Sequence, residues 1–333
     1  MTLASFLEEK IRPGLVKRGE IKDEDALAKI IKKSLSKVKG EKLKTNYVVA
    51  SLPEEKSFLQ VIQMPRIPPE DLKSAVVYEA ENYIPLAIED VYLDSQIVKP
   101  VFNHLDHYDV LIVAVPKKTA DSYLNCLQKA DLIPQAFETE SLAIARAMIK
   151  KNMSPFPVLL VDMGASRTRF IIFSGFSIRF TTSIEVSAQK FTEIIAKNFK
   201  IDFKEAEKIK IKHGLTGDKK IFESLIPTIT DLKEQIKKYI LYYQTHSSHE
   251  HLAQEHKNVE KIILSGGGAR LKGLVDFLSS ELALPVEIGN PWVNILEDPP
   301  KEVPKIPFEE SLKYTTVLGL ALGAVQRNKD YNI

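Results

Sequence analysis

A single cysteine, Cys126, leaves this chain of 333 residues unable to form an internal disulfide, which suits a reducing compartment and marks the thiol as a core residue. A bias of charge is also missing. Lys and Arg number 46 against 44 Asp and Glu, so the net +2 supplies no global field toward nucleic acid or anionic lipid. No uninterrupted apolar run approaches the roughly 18 residues of a membrane span. Residues 1–10 carry Glu8 and Glu9 where a signal peptide needs an apolar centre. The expectation is a soluble, cytoplasmic protein that borrows any membrane association from a partner. No repeat of solenoid period stands out. A Ser-His-Asp triad cannot be read from spacing, because the fold and not sequence proximity assembles one.

What is present suits a globular α/β protein. A hydrophobic content of 44% over this length is ample for two packed lobes. Ala26, Leu27, Ile30, Ile31, Leu35 and Val38 recur at helical spacing in a Lys-rich stretch whose lysines form the wet face. The apolar run 47–52, closed by Pro53, predicts a buried strand. Strands at 58–64, 91–98 and 108–115 surround a helix that starts at Pro68 and Pro69 and stops before Pro85. A helix over 119–130 closes this strand-rich module, which reads as an inserted subdomain. The second half opens on a central strand, Val158 to Val161, and continues through a hairpin of 168–173 with 177–182. Helices are expected at 188–199, 203–213, 227–245, 271–283 and 312–326, with strands at 261–265 and 286–288 and a Pro-rich loop over 291–307.

Two segments share one design, a buried strand ending in a glycine-containing turn. In Val158-Leu-Leu-Val-Asp162-Met-Gly164-Ala-Ser166-Arg-Thr168, the glycine lets backbone approach an anion, and Ser166 and Thr168 offer hydroxyls. Asp162, at the strand end, is placed to hold a hydrated magnesium ion beside phosphate oxygens. The plain alternative is a hairpin whose Asp and Gly serve only turn geometry. In the second segment, Ser265-Gly266-Gly267-Gly268-Ala269-Arg270, three glycines between strand and helix leave bare backbone for a flat ligand. A tight turn without a ligand needs fewer. His246, His249, His251 and His256 cluster near a helix end, and two or three of them around zinc is an alternative to a solvated loop. Trp292 reads as packing.

In this order, about a hundred residues apart, the two segments resemble the second phosphate loop and adenosine loop of the actin, hexokinase and heat-shock chaperone superfamily. The resemblance sharpens to the PilM family. It is carried by Glu79-Ala-Glu-Asn-Tyr-Ile-Pro85, Val91-Tyr-Leu-Asp94, Glu138-Thr-Glu140, Glu205-Ala-Glu207 with Lys210, Ser265 to Leu274, Asn290-Pro291 and Leu318-Gly-Leu-Ala-Leu322, and covers nearly the whole chain. It implies an actin-like ATPase fold of the ribonuclease H-like kind, two-lobed, with an inserted subdomain like that of the division protein FtsA. The implied parts are 1–54 for part of the first lobe, 55–137 for the insertion, 138–157 for the connecting helix region, 158–310 for the second lobe and 311–333 for the closing helix and tail.

The resemblance also implies roles. Asp162 would meet magnesium through water, Gly164, Ser166 and Thr168 the phosphates, Glu207 and Lys210 the ribose or adenine, and Gly266, Gly267 and Gly268 the adenosine. Glu140 would be the acid of the connecting helix. Glu207 and Lys210 equally suit an exposed helix pair. One departure matters: no Asp-x-Gly hairpin stands near the amino terminus, and residues 12–31 already resemble the segment that lies after that hairpin in relatives. The expectation is a chain that starts a few strands late and an ATP or ADP site with magnesium that is weak or absent. The implied function is a type IV pilus scaffold at the cytoplasmic face of the inner membrane. It would bind the amino-terminal tail of PilN in a groove between first lobe and insertion, near Val76 and Tyr83, alongside other pilus assembly proteins and without inserting in the membrane itself. The alternatives are an active small-molecule kinase, which needs a full phosphate clamp, and an FtsA-like filament former, which needs an amphipathic tail where 323–333 is short and polar.

Overall fold

A computed structural model describes residues 2–101, 105–248, 250–253, 256–296 and 303–330. The first lobe opens with β1 (Ser5–Phe6), β2 (Val16–Lys17), β3 (Glu20–Ile21), α1 (Glu24–Leu35), β4 (Lys39–Gly40) and β5 (Tyr47–Leu52). Helix α1 is fixed at its start by Asp23, whose carboxylate accepts the Ala26 N–H at 2.9 Å. Glu24 and Asp25 in its first turn and Lys32 and Lys33 in its last complement the helix dipole.

The insertion contributes β6 (Phe58–Pro65), α2 (Pro69–Ala80), β7 (Val91–Val98) and β8 (His107–Pro116). The antiparallel order is β6-β8-β7, and α2 lays Val76 and Ala80 on Ile62, Val110, Ile112 and Ala114. This helix ends at Ala80, ahead of the expected stop at Pro85; a turn begins there, with the Asn82 N–H on Glu79 O and the Tyr83 N–H on Ala80 O. Next come α3 (Lys117–Lys129) and β9 (Ile133–Thr139). Cys126 and Ala130 pack with Leu27 and Ala28 of α1, so α3 joins the first lobe's core. Strand β9 pairs in parallel with β5. Among the described residues β5 and β9 make a sheet of two strands, and β5 is accordingly part-buried over 48–51, with Tyr47 exposed and Leu52 buried.

Helix α4 (Glu140–Met148) leads into the second lobe. There β10 (Ser154–Met163), β11 (Thr168–Gly175), β12 (Ser177–Ile184), α5 (Ala188–Phe199), α6 (Phe203–His213), α7 (Lys219–His246), β13 (Lys261–Ser265), α8 (Leu274–Leu282) and β14 (Val286–Ile288) follow. The sheet runs β12-β11-β10-β13-β14, with β10, β13 and β14 parallel and β11 and β12 a meander. Leu159, Val161 and Met163 face the core formed by α5, α7 and α8, whereas Val158 and Leu160 face α4. That double burial explains the unbroken apolar run of β10.

Helix α7 begins eight residues before the expected position, because Asp218 caps it at the N–H groups of Lys220 and Ile221 and Pro227 stands inside it. Helix α8 begins at Leu274, after a turn of 3₁₀ helix over Gly267–Arg270. The chain closes through α9 (Phe308–Ser311) and α10 (Thr315–Asp330); the middle of the Pro-rich loop, 297–302, and the tail 331–333 lie outside the described residues. Helix α10 crosses α4 so closely that a Cβ on Gly319 would lie 1.9 Å from Ala143 O. Buried Glu138 accepts from Arg146 Nη1 at 2.6 Å and pairs with Arg327 of α10, locking this crossing. Trp292 is buried with Ile306 and Leu318, as packing requires.

Candidate nucleotide cleft

A cavity of about 600 Å³ lies between the lobes, lined by Lys17, Arg18, Glu55 and Tyr123 on one side and Ser166, Arg167, Arg169, Ser187 and Lys190 on the other, with Glu140 among them. Its volume is of the size that holds a small ligand. Asp162, the last residue but one of β10, lies behind Arg169 of that lining and is 5% exposed. Both of its oxygens are engaged: Oδ1 accepts from Ser265 Oγ at 2.9 Å and Oδ2 from Arg169 Nη1 at 3.0 Å. Arg169 Nη2 reaches Glu140 Oε2 at 2.5 Å. Burial raises the Glu140 carboxyl pKa, with Arg169 pulling against that rise. The guanidinium meets the opposite balance. Burial works against its charge, but Glu140 and Asp162 outweigh this and raise its pKa.

The turn after β10 is closed on itself. The Gly164 N–H donates to Arg167 O at 2.9 Å, and α5 directs the N–H groups of Ala188 and Gln189 onto Gly164 O and Ala165 O. Ser166 is exposed toward the cavity, whereas Thr168 is fully buried with its Oγ1 unpartnered. Of the residues read from the sequence, Ser166 and Glu140 line the cavity, whereas Asp162, Gly164, Thr168, Glu207, Lys210 and Gly266 to Gly268 do not.

The three glycines are used mostly by the protein itself. Gly266 has φ +79°, and a Cβ there would sit 2.5 Å from Met163 O; one on Gly268 would sit 2.9 Å from the Met163 Cβ. Only Gly267 faces open space, its nearest neighbour being Lys313 Cβ at 3.8 Å. Glu207 and Lys210 are not a free surface pair either. Lys210 is buried and its Nζ lies 2.9 Å from Ala188 O, 2.8 Å from Thr192 Oγ1 and 2.7 Å from Glu207 Oε2, tying α6 to α5. All three ammonium donors are engaged. Lys210→Met should cost about 1–3 kcal/mol, because the Ala188 and Thr192 acceptors lose their donor in a buried site. Urea unfolding of the unaltered chain and the variant in one buffer checks this.

Among the described residues the histidines form no group that could hold a metal ion. His251 is buried with Nε2 at 2.9 Å from Ser174 Oγ, His246 lies beside Thr245, and His256 pairs with Glu260. His249 lies outside the described residues. Arg169 escaped the reading of the sequence, yet a signal was present: a short turn between β10 and β11 sets Asp162 and Arg169 directly opposite each other across the strands.

A meander joined to three parallel strands, with a helix pair at the hinge and a cleft between lobes, defines the actin-like ATPase fold. MreB5 of Spiroplasma citri bound to ADP shares it at a TM-score of 0.56, with 14% identity over 95% of this chain and 80% of that one. The sequence matches the family described as Type IV pilus assembly protein PilM over residues 1–325. The chain belongs to the PilM family. It is also similar to a chain of a PilM-PilN type IV pilus biogenesis complex, at a TM-score of 0.78 and 26% identity over 97% of this chain and 92% of that chain. Among curated proteins it resembles the cell division protein FtsA of Pseudomonas aeruginosa, 23% identical over 239 residues, which is 66% of this chain and 55% of that protein. The chain spans about half the length of the curated relatives it matches. No helix among the described residues is long and apolar enough to cross a membrane.

Proposed function

We propose that this chain is a scaffold of type IV pilus assembly that seats the amino-terminal tail of a PilN-type membrane protein, and through it sits at the inner face of the membrane. The observation that carries this reading is likeness over nearly the full chain to a chain of a PilM-PilN complex. Adenine nucleotide, where it binds, acts as a structural ligand between the lobes. Asp162 and Glu140 are both held by Arg169, which argues against the small-molecule kinase.

The sequence pointed to Val76 and Tyr83 as partner contacts. Val76 is 2% exposed inside the insertion's core, so it holds the subdomain together and offers nothing to a peptide. Tyr83 is exposed. A better seat is the groove of about 310 Å³ between β6 and β12, lined by Leu59, Val61, Gln63, Phe180 and Tyr242. Each of these strands is the outermost of its sheet, and an extended tail can add to such an edge while its side chains enter the groove.

Val61→Arg should weaken binding of a synthetic PilN tail at least about tenfold in calorimetry, with the melting curve little changed. Loss of binding by Tyr83→Asp with Val61→Arg unaffected would move the seat to the turn after α2. Tight binding by both variants would remove both surfaces from consideration.

A further inference from the structure

The place where two acidic groups converge on the cleft is already filled by a side chain. Asp162 is the last residue but one of the central strand β10 and Glu140 begins the connecting helix α4, so the two carboxylates come from opposite sides of the hinge. Arg169 stands between them, with Nη1 3.0 Å from Asp162 and Nη2 2.5 Å from Glu140. Its position is fixed by strand register, since Arg169 lies across from Asp162 in the β10–β11 ladder. All three side chains are at most one-fifth exposed.

Carboxylates drawn together away from water need a cation, and a divalent ion or a guanidinium can satisfy that need. They cannot do so at the same point. Magnesium requires a near-octahedral oxygen shell at about 2.0–2.1 Å and keeps several waters. Here Asp162 Oδ2 already accepts a guanidinium proton and Oδ1 the Ser265 hydroxyl proton. The residues present therefore do not fit a hydrated magnesium ion. We propose that Arg169 is the resident cation of the Asp162–Glu140 site, so this site takes no divalent metal and any anionic ligand of the cleft binds without one.

The arrangement serves the hinge as well. The guanidinium links the second lobe to the start of α4, and Glu54 holds that same helix start by accepting the Ser141 N–H at 3.1 Å. Arg167 repeats the pattern farther out, at 3.9 Å from Glu55 and 3.8 Å from Glu185. Exclusion of a metal ion and a bridge across the hinge thus come from one residue. Neither depends on where, or whether, a PilN tail binds.

Manganese supplies the probe, because its free ion is counted by electron paramagnetic resonance without any turnover. The whole chain is titrated with Mn²⁺ alone and with Mn²⁺ plus ADP, beside Asp162→Asn to subtract surface binding. We expect the unaltered chain and Asp162→Asn to bind Mn²⁺ alike in both series. Arg169→Ser should gain a site at least about tenfold tighter than any in the unaltered chain, and the double variant with Asp162→Asn should lose it. Mn²⁺ bound by the unaltered chain and released by Asp162→Asn overturns the proposal. So does an Arg169→Ser protein that keeps its circular dichroism and gains no site. If Arg169→Ser does not fold, Arg169→Gln, which keeps a long polar side chain, takes its place in the same comparison. The unaltered chain decides the matter on its own, since Asp162-dependent metal there is incompatible with a resident arginine.

Discussion

Gly319→Val is expected to leave little folded protein, and Gly267→Ala to leave stability unchanged or slightly raised. The contrast lies in what a new side chain would meet. At Gly319 a Cβ falls 1.9 Å from Ala143 O, 2.5 Å from Ala143 C and 3.0 Å from Ala143 Cα. All three are backbone atoms of α4, so no rotamer change relieves the overlap and the helices must separate. Separation also strains the buried Glu138 contacts to Arg146 and Arg327 and the hydrogen bond from Arg146 Nη1 to Gly319 O at 3.0 Å. Overpacking of a well-filled core costs about 1–3 kcal/mol, and a contact against rigid backbone belongs at or beyond the top of that range. A cost on the order of 3 kcal/mol or more is a large share of the stability of a typical domain. Gly267 has no such neighbour, and alanine there reduces the freedom of the unfolded chain. Soluble yield and thermal melting of the two variants test this. Equal melting points would mean that α4 and α10 do not cross as described.

These two glycines also show where the sequence is transparent and where it is not. Gly267 belongs to a triplet that announces itself, but its partners Gly266 and Gly268 are required by the approach of the Met163 backbone, a contact made between strands far apart in the chain. Composition alone cannot separate a glycine that admits a ligand from one that admits a neighbouring strand. Local signals served well where they were self-sufficient. Ser187 and Asp202 cap α5 and α6, and each of these helices spans the interval read from its periodicity. Strand β13, buried along Ile262 to Ser265, was equally plain. Pro227 misled, because a proline reads as a helix start, while the cap at Asp218 and the buried face of Ile221, Leu225 and Ile229 carry α7 through it. Within the site, Asp162 was legible as a strand end facing a turn. Its occupation by Arg169 and Ser265 was not, since Ser265 reaches it only through the parallel pairing of β10 with β13.

Val76→Asp should unfold the inserted subdomain whether or not a peptide is present. The sequence placed Val76 with Tyr83 as a contact of the groove between the first lobe and the insertion. The fold turns Val76 inward and leaves Val77 and Tyr78 exposed. Its side chain is 2% exposed and packs among Ile62, Val91, Val110, Ile112 and Ala114. An aspartate there must either remain charged without compensation or take up a proton at neutral pH, and either course costs on the order of 4–5 kcal/mol. Val76→Ala, which only leaves a cavity, should cost about 2 kcal/mol. The three-stranded sheet and α2 have little else to hold them together, so the loss falls first on this subdomain and the second lobe keeps its own core. Hydrogen exchange resolves the two regions. Protection should vanish in β6, β7 and β8 while persisting in β10 and β13. Tyr83→Asp, which changes an exposed side chain, should leave both protected. A Val76→Asp protein with a fully protected insertion would show that Val76 lies outside the core, and would restore it as a partner contact.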